Sequence, residues 1–80
     1  MKTVFLIYFA YLRDRCGTGR EEFETSARTL GELYGEVQKR YDISLEAKDI
    51  RVAVNDRFSS LDSELSSGDH VVFIPPIAGG

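Results

Sequence analysis

Eighty residues and 9.0 kDa bound the molecule to one domain with one small core. A chain this short hides only roughly 60–65% of its unfolded surface, which leaves little room for a buried active site. Apolar residues at 42% and charged residues at 29% exclude a disordered tail, and a net charge of −3 argues against a nucleic-acid binder and suits a basic protein partner.

Cys16 is the single cysteine. It can close neither an internal disulfide nor a cysteine-rich metal site, so a reducing, cytoplasmic setting is expected. The apolar opening, from Val4 to Leu12, has no small-residue cleavage site and is too short to span a bilayer. It reads as a strand over residues 3–11, rich in β-branched and aromatic side chains. Leu12 to Gly19 reads as a turn that can open on a short helical piece. Arg20 to Ser26 alternates around Phe23 and suits a solvated edge strand.

A helix follows. Thr29 and Glu32 fit a capping box, with the Thr29 hydroxyl accepting from the third helical N–H and Glu32 bonding back to the Thr29 N–H. Leu30, Leu33, Tyr34, Val37 and Tyr41 then make one apolar stripe at helical period. Gly31 and Gly35 weaken this helix by about 1 kcal/mol each relative to Ala, and Glu36 with Arg40 is spaced for an exposed ion pair.

Beyond the helix, Ile50, Val52 and Val54 alternate with Arg51 and Ala53. Asn55-Asp56 signals a turn, and Arg57-Phe58 opens a short return strand. Ser67-Gly68-Asp69 is a tight turn before a last strand from His70 to Ile74. Pro75-Pro76 removes two N–H donors and ends that ladder. The order is β-β-α-β-β-β: an α+β domain over residues 1–76, with a mixed sheet of about four to five strands packed on one main helix, and a flexible tail at 77–80. The first and last strands, being the most apolar, are expected side by side in the middle.

Familiar catalytic constellations are absent or weak. His70 is the only histidine and reads as a surface or half-buried side chain. Cys16 lacks a candidate base nearby in sequence, and Glu21-Glu22 reads as solvated surface. Two features need more. Both central strands are apolar on both faces, Val4, Leu6 and Tyr8 against Phe5, Ile7 and Phe9, and Val71 and Phe73 against Val72 and Ile74. One helix covers one face, so the other is expected to meet a partner unless the loops or the 42–49 segment cover it. The chain also ends Gly79-Gly80. Glycines lack Cβ and can enter a narrow slot, and four residues past Pro76 reach roughly 13 Å. A reactive α-carboxylate there would lie outside the domain body, so catalytic groups would come from a partner enclosing the tail.

Phe9-Ala10 with Leu12-Arg13, then Thr29 to Leu33, Val52 to Asn55, and above all Gly68-Asp69-His70-Val71 followed by Pro75-Pro76-Ile77-Ala78-Gly79-Gly80, carry a resemblance over essentially the whole chain. The sequence resembles the MoaD/ThiS family of β-grasp (ubiquitin-like) sulfur carriers, in its molybdopterin synthase small-subunit branch. The resemblance implies that Gly80 is adenylated by an ATP-dependent activating enzyme and converted to a thiocarboxylate. It implies that the tail inserts into the large subunit of molybdopterin synthase and donates sulfur for the molybdopterin dithiolene, in an assembly of two small and two large subunits. Gly79 would give clearance, and Ala78 and Ile77 would line the channel. Phe9, Phe58 and Ile74 match apolar positions used against partners, and Arg13 a basic position beside them. ATP would be consumed by the partner, with no metal and no permanently bound cofactor on this chain. Three alternatives stay open: a thiamin-type or other sulfur carrier, a ubiquitin-like modifier conjugated through Gly80, and a plain interaction domain with an idle tail.

Overall fold

The computed structural model describes residues 1–76. In chain order the elements are β1 (Lys2–Tyr8), α1 (Ala10–Cys16), β2 (Arg20–Thr25), α2 (Leu30–Tyr41), a 3-10 turn (Ala47–Asp49), β3 (Arg51–Val54), β4 (Arg57–Ser59) and β5 (His70–Ile74). The five strands form one sheet in the order β2-β1-β5-β3-β4. β1 and β5 are parallel neighbours in the middle, as their two-sided apolar sequences require, and every other pairing is antiparallel.

α2 covers one face. Its stripe of Leu30, Leu33, Tyr34 and Val37 is buried against Val4, Leu6 and Tyr8 of β1, Val52 of β3, and Val71 and Phe73 of β5. The Tyr34 and Phe73 rings meet at 5.2 Å between centroids. The Tyr34 hydroxyl, inside this core, donates to the Leu45 carbonyl at 2.6 Å, which ties the segment after α2 to the helix.

Several expectations are corrected. The first strand stops at Tyr8, not residue 11, and a second helix, α1, follows at once. Ala10 adopts φ 48°, which breaks the extended run, and Leu12 then buries its side chain in the core. Gly17, at φ 78°, closes α1 by donating its N–H to the Arg13 carbonyl. At the start of α2, Thr29 Oγ1 accepts from the Glu32 N–H at 3.2 Å as expected, but Glu32 Oε1 accepts from the Arg28 N–H at 2.9 Å rather than from Thr29. Arg28 to Leu30 instead pairs with the 63–65 segment, with Leu30 donating to the Ser63 carbonyl and Leu65 to the Arg28 carbonyl.

This strap explains Gly31, whose N–H donates to the Leu61 carbonyl at 2.8 Å and where a Cβ would lie 3.2 Å from that oxygen. The Glu36–Arg40 ion pair does not form. Glu36 accepts from the Thr25 hydroxyl at 2.8 Å, and the Arg40 guanidinium lies 5.1 Å from the Phe23 ring centroid. Each thereby gains a partner on β2 and clamps α2 to that edge.

Candidate functional site: the uncovered sheet face and the root of the tail

Among the described residues, no helix lies over the face opposite α2. Directly paired residues share a face, so the register defines its rows. One row runs Arg20, Ile7, Val72, Ala53, Phe58 across all five strands. The next row toward the turns holds Glu22, Phe5 and His70. The row toward the end of β5 holds Ile74 and Arg51. Ile7, Val72, Ala53 and Ile74 are half-buried, while Phe58 is 73% exposed. The Asn55-Asp56 turn presents Phe58 there. Both turn residues have positive φ, at 51° and 71°, the two-residue hairpin geometry that Asn and Asp tolerate.

Of the sequence-predicted docking residues, the structure brings three to this face or its end. Ile74 and Phe58 lie in the rows. Phe9 follows Tyr8, which pairs with Phe73, so Phe9 and Ile74 share the end of the sheet from which the chain leaves. Phe9 is 52% exposed, although it sits at the N-cap of α1 and not inside the first strand. Arg13 is separate. It stands on α1 with its side chain along the Gly19 backbone, outside the rows. Ile77, Ala78, Gly79 and Gly80 lie outside the described residues. What precedes them is described: β5, held by β1 on one side and β3 on the other, runs into a buried Pro75 and an exposed Pro76, beside Tyr11 and Leu45.

Sequence reasoning left two contributors unplaced. His70 is exposed, as expected, and in addition stacks on Phe5 at 4.9 Å and 28°, which extends the apolar floor. Glu21 is not solvated surface. It turns to the helix side, where its Oε2 accepts from the Tyr8 and Tyr41 hydroxyls at 2.6 Å each. The alternation that places Phe23 and Thr25 inward places Glu21 inward too, and that was the available signal.

The electrostatics of this cluster disfavour an activated nucleophile in it. Burial, then the Glu21 carboxylate, pushes the Cys16 thiol up to about 11. Burial, then its hydrogen bond to Glu21, raises Tyr41 to about 12, and the same causes hold Tyr8 well above the ordinary phenol range. Among the described residues no group of three or more metal-binding side chains converges. No helix among them is long and apolar enough to cross a membrane. The arrangement is therefore suited to docking: an apolar face continuous with the strand that leads to the terminus.

A mixed five-stranded sheet with a parallel central pair, grasping one long helix, defines a ubiquitin-like β-grasp protein. The solved Pyrococcus furiosus structure described as a molybdopterin converting factor subunit 1 superposes with a TM-score of 0.79 at 31% identity, covering 96% of this chain and all of that one. Within that class the chain belongs to the ThiS family, whose model matches residues 6–80. The molybdopterin synthase sulfur carrier subunit of Mycobacterium tuberculosis is 36% identical over 83 aligned positions that span both chains fully. The Amycolatopsis orientalis BexX/CysO complex contains a chain matching at 26% identity with a TM-score of 0.68, covering 96% of this chain and 99% of that one.

Proposed function

We propose that this chain is the sulfur-carrying small subunit of a molybdopterin synthase. The observation that carries the reading is the continuity of an uncovered apolar face with β5, which ends at Ile74 and is followed in sequence by Pro75-Pro76 and then Gly79-Gly80. The relatives named above support it. Partners dock on Ile7, Val72, Phe58 and Ile74, with Phe9 at the end of the face and Arg13 beside it, and receive the tail in a channel that Ile77 and Ala78 line.

The chemistry asks little of the carrier itself. The Gly80 carboxylate attacks the α-phosphorus of ATP on an activating enzyme, releasing pyrophosphate and leaving an acyl-adenylate. A sulfur nucleophile supplied by that system then adds to the acyl carbon and expels AMP, which is a good leaving group. A sulfide nucleophile gives the thiocarboxylate directly; a persulfide gives an acyl disulfide, whose S–S bond a thiol of the same system then attacks, releasing the thiocarboxylate and leaving a disulfide on the donor. The thiocarboxylate holds sulfur as a nucleophile without free sulfide. In the large subunit the sulfur passes to a pterin precursor, water returns the acyl group to carboxylate, and the carrier is released for reloading. Two small and two large subunits make the assembly. Gly79, lacking Cβ, lets the reacting carbonyl pass a narrow channel.

The deciding experiment is deletion of Gly80. The shortened chain keeps its fold and loses all support of molybdopterin synthesis; a shortened chain that still supports it would overturn the proposal. Intact-mass measurement after co-expression with an activating enzyme separates the readings. An oxygen-to-sulfur shift marks a carrier, and a ladder of larger adducts marks a protein modifier.

A further inference from the structure

The uncovered face is electrically lopsided. On β2, Arg20 and Glu22 are exposed on this same side and two residues apart, with Glu24 beyond. Arg51 stands at the Ile74 end of the face, and Asp56 at the turn end. Within the rows of the face, cations therefore sit toward the end of β5 and anions toward its start, with Lys48 and Asp49 flanking Arg51 beyond the rows. None of these charges forms an ion pair among the described residues. The ion pairs among the described residues are Arg15–Asp42 and Lys48–Glu46, both elsewhere.

A surface of this kind is complementary to itself when turned end for end. Take a two-fold axis lying across the strands, midway between the row of Ile7 and the row of Phe5. It places Arg20 over Glu22 of the second copy, and Glu22 over its Arg20. Ile7 then meets Phe5, Val72 meets the Phe5-stacked His70, and Arg51 approaches the Asp56 end. Sheets packed face to face stand about 10 Å apart, within reach of these side chains. The other in-plane axis, along the strands, sets β2 over β4 and leaves Arg20 and Glu22 without opposite charges.

We infer that the free chain covers this face with a second copy of itself, packed face to face with strands antiparallel and locked by two reciprocal Arg20–Glu22 pairs. The inference needs no sulfur chemistry and stands apart from the proposed function. It does share the face, so the self-paired form and the partner-docked form exclude each other. Five strands about 4.8 Å wide and three rows about 7 Å deep give a footprint of roughly 500 Å² per copy. That is below the roughly 800 Å² per partner of a stable interface. The pairing is therefore weak, and a larger partner surface displaces it.

The test is sedimentation velocity on the full chain, without ATP or any partner, from micromolar to millimolar concentration. The expected result is a concentration-dependent rise from monomer toward dimer. Glu22→Arg or Arg20→Glu alone weakens association about tenfold, through two lost pairs and new repulsion. The double exchange, R20E with E22R, restores it. Both positions are exposed on an edge strand, and an unchanged thermal midpoint confirms that the variants fold. A monomer at every concentration overturns the inference. So does a dimer that ignores both reversals, or one that the double exchange fails to restore. Because no activating enzyme is present, either result leaves the Gly80 experiment to be judged alone.

Discussion

Replacing Phe58 separates docking from folding. A phenylalanine side chain offers roughly 200 Å², and 73% of this residue is exposed in the free chain, so about 150 Å² is available to a partner. At about 25 cal/mol per Å² that area is worth at most about 4 kcal/mol on complete burial. Partial burial and ordering costs reduce this, so Phe58→Thr is expected to weaken binding to the large synthase subunit by about 10- to 100-fold. Threonine, being β-branched, suits a strand position. Little is lost from the core, and unfolding stability should stay within about 0.5 kcal/mol. Phe73 is the internal control. It is fully buried under α2, and Phe73→Ala should cost about 3–5 kcal/mol of stability. Titration calorimetry with the large subunit and denaturant unfolding measure the two quantities. The reasoning fails if Phe58→Thr leaves affinity unchanged, or if it lowers stability as much as Phe73→Ala does.

Phe9→Lys should weaken partner binding more than folding, since the ring is half exposed at the end of the sheet; equal losses in pull-down and thermal melting would place it in the core. Glu21→Leu removes the acceptor of the Tyr8 and Tyr41 hydroxyls and should cost about 1–3 kcal/mol in urea unfolding, because the Tyr8 hydroxyl is left without a partner. Tyr8→Phe should cost less, because Tyr41 still serves the carboxylate, and the reverse order would contradict this account. Cys16, raised from 9.0 to about 11, should alkylate about 100-fold more slowly than an unburied thiol near pH 8, from its smaller thiolate fraction. The same thiol, with Tyr34 and Tyr41 raised from 10.0 to about 12, binds its proton more tightly folded than unfolded. Its contribution is fully present below pH 9 and is lost as pH rises through the folded values, so stability should fall between about pH 9 and 12. A rise across that window would refute the assignment.

Much of this could be read from local pattern. The α2 stripe, the Thr29 cap, the edge character of β2 and the central pairing of the two most apolar strands all follow from periodicity and composition. The terminal motif is also local, which is why it carries the family resemblance. What local pattern does not carry depends on partners distant in sequence. Nothing in an alanine announces φ 48°, so the apolar run through Tyr11 looked like one strand. Glu36 and Arg40 have helix spacing for each other, yet Thr25 and Phe23 of β2 take them instead. Gly31 looked like a weakness of α2 until the 61–65 strap lay across it. The apolar excess on β1 and β5 announced an uncovered face, but only the register joins Ala53 and Phe58 to it.

The position of β5 has a mechanical consequence. It is hydrogen-bonded along both sides, parallel to β1 and antiparallel to β3. A pull along the chain beyond Pro76 loads both ladders in shear at once, whereas an edge strand would unzip one bond at a time. Under the proposed function, an enzyme that grips the terminal residues, draws them in and releases them leaves the domain behind them shut.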